Sequence, residues 1–277
     1  MLKLVNYPGS KARVLSQLYP LLDLSREVYV EPFLGGGVVL LNMPAEAKFS
    51  RIYASDQCPH VVNALVNLRR PVQLIQHATQ VSQLGLKKNR EAYYQLRERW
   101  NLRSCKVTPQ ASAEFILLAN SCINGLVRFG PRGFNQAWGA REMNLDSLYQ
   151  VAAWINAREL ELSVMDFREA FLARKNVWHQ ATIYADPPYS NCVGPTVNGI
   201  YDNCRPWLAK DDADLADLCL QAVQAGAHVV VSSLADNHGL NSRLIGFKEW
   251  PCQRVYKASP GRHLAKGHVE IILVGKA

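Results

Sequence analysis

Four consecutive residues, Asp186-Pro187-Pro188-Tyr189, carry the densest chemistry in the sequence. They follow an apolar run at 181–185 that reads as a buried strand. The carboxylate accepts hydrogen bonds. The prolines lack N–H groups, so their carbonyls face outward without a competing local ladder. Tyr189 adds an aromatic plane. Two acceptors beside a stacking face suit a planar substrate with an exocyclic amino group, because both amino hydrogens are held while the ring stacks. A second cluster, Glu31-Pro32-Phe33-Leu34-Gly35-Gly36-Gly37, runs from strand through turn to helix. Glycines there let a ligand approach the backbone at the carboxyl end of a sheet. The dinucleotide fingerprint needs a third glycine where Leu40 stands. Asp56 ends a further strand, and a carboxylate at that point suits the two hydroxyls of a nucleotide ribose or a cap for the following helix.

These residues need elements to hold them. Strands are expected at 28–30, 51–55, 160–164, 181–185, 229–231 and 269–274. Ser10 is placed to cap a helix with the stripe Val14, Leu15, Leu18, Leu21 and Leu22, which Pro20 bends or ends. Pro59 opens another, with Val61, Leu65 and Leu68 on one face. Leu215, Leu218, Ala222 and Val223 mark a third, stopped by Gly226. Strand–helix alternation argues for a three-layer α/β sheet. The stretch 71–156 breaks that rhythm and reads as an insertion, mostly helical, with Tyr93, Leu96 and Trp100 at helical spacing and a helix start at Thr108-Pro109. The glycine- and arginine-rich stretch 124–135 reads as an exposed loop or hairpin rather than core.

The charge follows the same division. The 277 residues hold 31 Lys+Arg against 23 Asp+Glu, a net charge of +8. Ten basic and five acidic residues fall within 71–156, so five of the eight units sit there. Such an excess suits a polyanion, nucleic acid above all. With 48% hydrophobic and 19% charged residues the chain is expected to fold around a sizeable core. The start lacks the pattern of a signal peptide, and the longest uncharged stretch, 218–235, is too polar to span a bilayer. The seven cysteines are scattered without a CxxC pair, so neither a zinc site nor a disulfide framework is expected, and a reduced, cytoplasmic protein is.

The order of these motifs resembles the Dam-like (D12 class) DNA adenine-N6 methyltransferases of the alpha group. The resemblance covers nearly the whole chain: Tyr7-Pro8-Gly9-Ser10-Lys11, the EPFLGGG run, Ala54-Ser55-Asp56, Asn124-Gly125-Leu126 with Arg128, the DPPY run, and a closing strand at 268–273. It implies a Rossmann-like S-adenosylmethionine-dependent methyltransferase sheet formed by 1–70 and 157–277. Residues 71–156 are then an inserted, mainly helical recognition domain for double-stranded DNA. The resemblance implies S-adenosyl-L-methionine contacts from Tyr7, Lys11, Phe33, Gly35, Gly37, Asp56, Asp166 and Asp186, with no metal. It implies a catalytic loop of Asp186, Pro187, Pro188 and Tyr189, and DNA contacts from Asn124, Leu126 and Arg128; Arg132 on the same loop is a further candidate for base edges. Lys87, Lys88, Arg262 and Lys266 join these as candidates for the phosphate backbone, as do Arg90, Arg97, Arg99 and Arg103. Two departures bear on specificity. Residues 129–138 look about one residue short of the Dam hairpin, and Ile123 stands where relatives that read GATC carry an aromatic residue.

The implied reaction moves a methyl group to N6 of an adenine flipped out of the duplex. Rival readings keep the cofactor and change the substrate to RNA or protein, replace it with a nicotinamide, or drop catalysis for DNA binding alone. Asp rather than Asn before Pro-Pro-Tyr, together with the basic insertion, favours DNA adenine.

Overall fold

The computed structural model describes residues 1–7, 9–125, 127–188, 207–256 and 268–276. A seven-stranded sheet forms its centre. The strands are β1 (Val28–Glu31), β2 (Arg51–Asp56), β5 (Leu160–Val164), β6 (Ala181–Ala185), β7 (His228–Leu234), β8 (Lys248–Tyr256) and β9 (His268–Gly275). Two short strands, β3 (Phe129–Gly130) and β4 (Gly133–Phe134), make a separate hairpin. The sheet order is β5-β2-β1-β6-β7-β9-β8. β5, β2, β1, β6 and β7 run parallel, and β9 and β8 return antiparallel. From β1 the chain winds outward to β2 and then β5, and on the other side from β6 to β7. The β1/β6 junction is therefore the switch point, outside whose carboxyl ends ligands bind in sheets of this type.

The helices are α1 (Leu15–Leu18), α2 (Val38–Leu41), α3 (Pro59–Asn67), α4 (Pro71–Ser82), α5 (Arg90–Asn101), α6 (Pro109–Ser121), α7 (Asp146–Asn156), α8 (Phe167–Leu172), α9 (Ala209–Gln224) and α10 (His238–Asn241). The starts of α3 and α6 follow the sequence rules. Proline occupies the first turn of each, and Thr108 accepts a hydrogen bond from the Ala111 N–H. The single helix expected after Ser10 is instead broken. Residues Lys11–Arg13 and Tyr19–Leu21 are 3-10 turns around the four-residue α1. Pro20 has no N–H to continue the ladder. No described helix is long and apolar enough to cross a membrane.

Side chains alternate across the strands and build two cores. Val28, Val30, Ile183, Val229 and Val231 face α8 and α9 through Phe167, Phe171, Leu215, Cys219 and Ala222. Tyr29, Ile52, Tyr184, Val230 and Ile272 face the other way, into a cluster that continues without a break through Leu74, Tyr93, Trp100, Phe115, Phe129 and Phe134. In chain order 71–156 lies between α3 and β5, yet its apolar side chains belong to the same core as one face of the sheet. This also corrects the reading of 124–135 as exposed rather than core. The hairpin exists, but Phe129 and Phe134 are buried against Trp100 and Phe115. Truncating an aromatic anchor of this kind costs about 3–5 kcal/mol.

Candidate active site

Three segments leave the carboxyl edge of the sheet around the switch point. After β1 comes the glycine turn. Its Leu34 N–H donates to the Ser55 carbonyl (2.8 Å) and its Gly35 N–H to Asp56 Oδ2 (2.7 Å). Asp56 Oδ1 accepts from the Cys58 N–H (2.8 Å), so this carboxylate shapes the turn into α3 and also anchors the loop. Burial raises the Asp56 pKa, and these two backbone donors hold it down. Over the loop lies the Tyr7 ring. A Cβ on Gly36 would sit 2.8 Å from Tyr7 Cβ and 3.3 Å from the Val5 carbonyl oxygen, so only glycine fits under this cover.

Beside Asp56, at the end of β5, Met165 N–H donates to the Asp56 carbonyl (3.2 Å). Asp166 follows, caps α8 through the Arg168 N–H (2.9 Å) and accepts from Gln57 Nε2. Phe33 stacks on Phe167 at 5.2 Å between centroids, and Trp207 packs on both at 5.8 and 5.3 Å. Asp56, Asp166 and this aromatic set stand on one side of the glycine turn.

On the other side is Asp186, directly after β6 and about one-fifth exposed (22%). Its Oδ1 lies 2.7 Å from Lys11 Nζ. Lys11 is almost wholly buried (2%) and also reaches Glu270 Oε1 at 3.1 Å and donates to the Gly9 carbonyl at 3.1 Å. Glu270 lies near the start of β9, opposite Leu234 at the end of β7, and is fully buried. Because β9 is antiparallel, its first residues lie at the edge where the parallel strands end. Glu31, at the end of β1, is buried as well, and the Tyr29 hydroxyl donates to its Oε2 (2.9 Å). Burial pushes the Glu31 carboxyl well above its usual range. The Tyr29 hydrogen bond opposes this, and the charges of Asp186 and Asp56 push it further up.

Glu31 and Glu270 stand outside the site residues picked from sequence. A signal exists for each: a lone acid inside an otherwise apolar run, Val28-Tyr29-Val30-Glu31 and Val269-Glu270-Ile271. Charges are seldom buried without a partner or a function. Pro187 is buried and Pro188 half-buried. Tyr189, Leu126, Arg262 and Lys266 lie outside the described residues, as does Pro8.

The middle segment presents a second surface. α5 clamps the hairpin through residues one turn apart. Tyr93 Oη and Arg97 Nη1 both donate to the Gln136 carbonyl (3.0 and 2.8 Å), and Asn101 exchanges two bonds with Phe134 (3.0 and 2.8 Å). Cys122 and Trp138 bridge the base of the loop. Asn124 has a left-handed φ of 56°, and Gly125 lies so close to Asn6 that a Cβ would meet the Asn6 side chain at 2.4 Å. On this frame Ile123, Asn124, Arg128 and Arg132 are exposed, as are Lys87 and Lys88 nearby. Lys87 stands 4.0 Å from Glu142. Not every basic residue of the segment faces outward as a phosphate contact would. Arg97 is tied to the hairpin, and Arg99 and Arg103 converge on the buried Glu114 at 2.9 and 2.7 Å.

The arrangement pairs a glycine turn under an aromatic lid with a cluster of carboxylates at a switch point, beside a basic hairpin. Comparison with known proteins agrees. The family description "D12 class N6 adenine-specific DNA methyltransferase" matches residues 7–253. The Type II methyltransferase M.MjaIII of Methanocaldococcus jannaschii is 27% identical over 208 residues, covering 67% of this chain and 68% of that one. A DNA adenine methylase of Salmonella typhi is 28% identical over 229 residues, 78% of this chain and 77% of that one. The DNA N-6-adenine-methyltransferase of Escherichia phage P1 is 26% identical over 231 residues, 82% of this chain and 29% of that longer protein. The chain belongs to the D12 class of N6 adenine-specific DNA methyltransferases.

Proposed function

We propose that this chain methylates N6 of an adenine flipped out of double-stranded DNA, with Asp186 as the catalytic residue and S-adenosyl-L-methionine as the donor. The observation that carries this reading is Asp186 fixed by a buried lysine at the switch point, next to the glycine turn and Asp56. The cofactor's fit rests on that turn. Side chains are excluded at Gly36 by Tyr7, while Asp56 is oriented by two backbone donors and keeps a partly open face. Asp56 would take the ribose hydroxyls. Phe33 and Asp166 would hold the adenine end, with Tyr7, Gly35 and Gly37 lining the turn. When bound, S-adenosyl-L-methionine supplies a methyl group made electrophilic by its sulfonium.

The residues of the chain do the rest. The lone pair of adenine N6 is delocalised into the ring, which makes it a poor nucleophile. Accepting the N6 hydrogens at Asp186 and at the Pro187 carbonyl favours a pyramidal nitrogen with a localised lone pair. The Asp186 carboxylate also stabilises the positive charge that N6 acquires. It then holds the proton that N6 gives up. Pro188 stiffens the turn, and Tyr189 stacks on the extruded base. Fixed placement of both reactants supplies further rate.

We assign residues 1–70 and 157–277 to catalysis and 71–156 to DNA recognition. Asn124, Leu126, Arg128 and Arg132 then approach base edges, where arginine pairs most often with guanine. Lys87, Lys88, Arg262 and Lys266 approach phosphates. The test is transfer of labelled methyl groups to duplex DNA, with RNA of the same sequence alongside. Transfer to duplex adenine, abolished in Asp186→Ala with DNA affinity retained, is the expected result. Full activity in Asp186→Ala, or transfer to RNA alone, overturns the reading.

A further inference from the structure

Asp186, Lys11 and Glu270 come from three distant parts of the chain and meet at one ammonium group. Lys11 has three N–H donors, and among the described residues three acceptors meet it: Asp186 Oδ1 at 2.7 Å, Glu270 Oε1 at 3.1 Å and the Gly9 carbonyl at 3.1 Å. An ammonium satisfied in this way is fixed in direction. Its tightest contact is the carboxylate that is partly open to the substrate side, whereas Glu270 is wholly buried behind it. We propose that Glu270 and Lys11 are positioning residues for Asp186, Glu270 acting through Lys11 to set both the direction and the proton affinity of the Asp186 carboxylate. The inference rests on the assignment of Asp186 as the group that accepts the N6 hydrogens.

The division of labour follows from charge. Lys11 alone would pull the Asp186 lone pairs toward itself and weaken them as acceptors. Glu270 competes for the same ammonium and leaves Asp186 more basic. The charged and titratable groups that face Asp186 from the described elements are Lys11 beside the N-terminal turn, Glu270 on β9 and Glu31 at the end of β1, with Asp56 of β2 beyond Glu31. Two changes therefore act in opposite directions. Glu270→Gln leaves Lys11 to Asp186 and makes the carboxylate harder to protonate. Lys11→Met leaves it among like charges and makes it easier to protonate.

The test is titration of the protein with carboxyl-13C aspartate by NMR, without cofactor or DNA, the Asp186 signal being identified by its loss in Asp186→Asn. The Asp186 midpoint is expected to fall by about half a unit in Glu270→Gln and to rise by more than about one unit in Lys11→Met. Single-turnover methylation by Glu270→Gln should slow about tenfold, with the dissociation constants for cofactor and duplex within about twofold of the parent. If Glu270→Gln does not fold, Glu270→Asp carries the test, since it keeps the charge and withdraws it by one methylene; a smaller fall of the midpoint and a rate loss of several-fold are expected. Midpoint and rate both unchanged, or a loss confined to cofactor affinity, overturn the proposal. Failure of the unsubstituted protein to methylate DNA would instead overturn the assignment of function, and the NMR midpoints separate the two.

Discussion

Glu31 and Glu114 are both wholly buried, and the two regions that hold them treat a carboxylate in opposite ways. In the helical middle segment Glu114 receives Arg103 twice (2.7 and 2.8 Å), Arg99 at 2.9 Å and His77 Nε2 at 3.2 Å. Burial alone would raise its pKa. The Arg103 and His77 hydrogen bonds and the charges of both arginines outweigh that and hold it below the usual range. At the strand ends, Asp186 and Glu270 share Lys11, while Glu31 feels the charges of Asp186 and Asp56. Glu31 there has a tyrosine hydroxyl for a partner and a raised pKa. The first arrangement is complete in itself and ties α4, α5 and α6 together. The second places several carboxylates close together at the carboxyl edge of the sheet, and burial and neighbouring charge favour the neutral form of Glu31 there. Folds break local rules of charge pairing chiefly where they act.

Substitutions can break this comparison. The largest effect is expected from Asp186→Asn: transfer slows at least about a thousandfold, roughly 4 kcal/mol in the barrier, while the urea midpoint barely moves. Glu114→Gln should do the reverse. It loses charge-assisted hydrogen bonds and should lower unfolding free energy by about 2–3 kcal/mol, with methyl transfer per folded molecule unchanged. A variant at Glu114 that folds normally and transfers slowly would erase the distinction between the two regions.

The pH dependence of stability sharpens it further. A folded-state pKa below the unfolded value, as for Glu114, gives stability that is present above about pH 4.5 and fades as pH falls through the depressed value. The deficit of Glu114→Gln should accordingly shrink below pH 4.5. Glu31 has the opposite sign, its favourable contribution being present below about pH 4.5 and lost as pH rises through the raised value. Glu31→Gln should therefore gain on the parent protein from pH 4.5 toward neutrality. Urea midpoints measured from about pH 3 to 8 on both variants check the two slopes, and parallel slopes would refute the contrast. The smallest expected effect lies on the outer face. Lys87→Ala should weaken duplex binding about two- to threefold and reduce the salt slope by nearly one, the signature of a single phosphate contact.

Sequence periodicity located the sheet because each strand of its centre is short, apolar and followed by a residue that ends it. It also located the carboxylates at the ends of β2 and β6, since each follows directly on a buried strand, although Asp56 serves the turn into α3 as well. Glu270 escaped for a topological reason. The same run in a parallel strand would place it at the far edge of the sheet, and only the reversal of β9 brings it to Lys11. The middle segment was legible as helical and basic, yet charge counting could not tell an arginine that faces solvent from one committed to a buried acid. The clue was Glu114 itself, an acid within the apolar run 111–119.

The Lys11–Glu270 ion pair joins residues separated by nearly the whole chain. During synthesis, Lys11, the glycine turn and Asp186 all emerge from the ribosome before the strand that completes their charge balance. Contacts of such long sequence separation form late, because the intervening loop must close first. A nascent chain can thus hold the β3–β4 hairpin and most of its sheet, and still complete the carboxylate cluster at the sheet edge only when β9 docks.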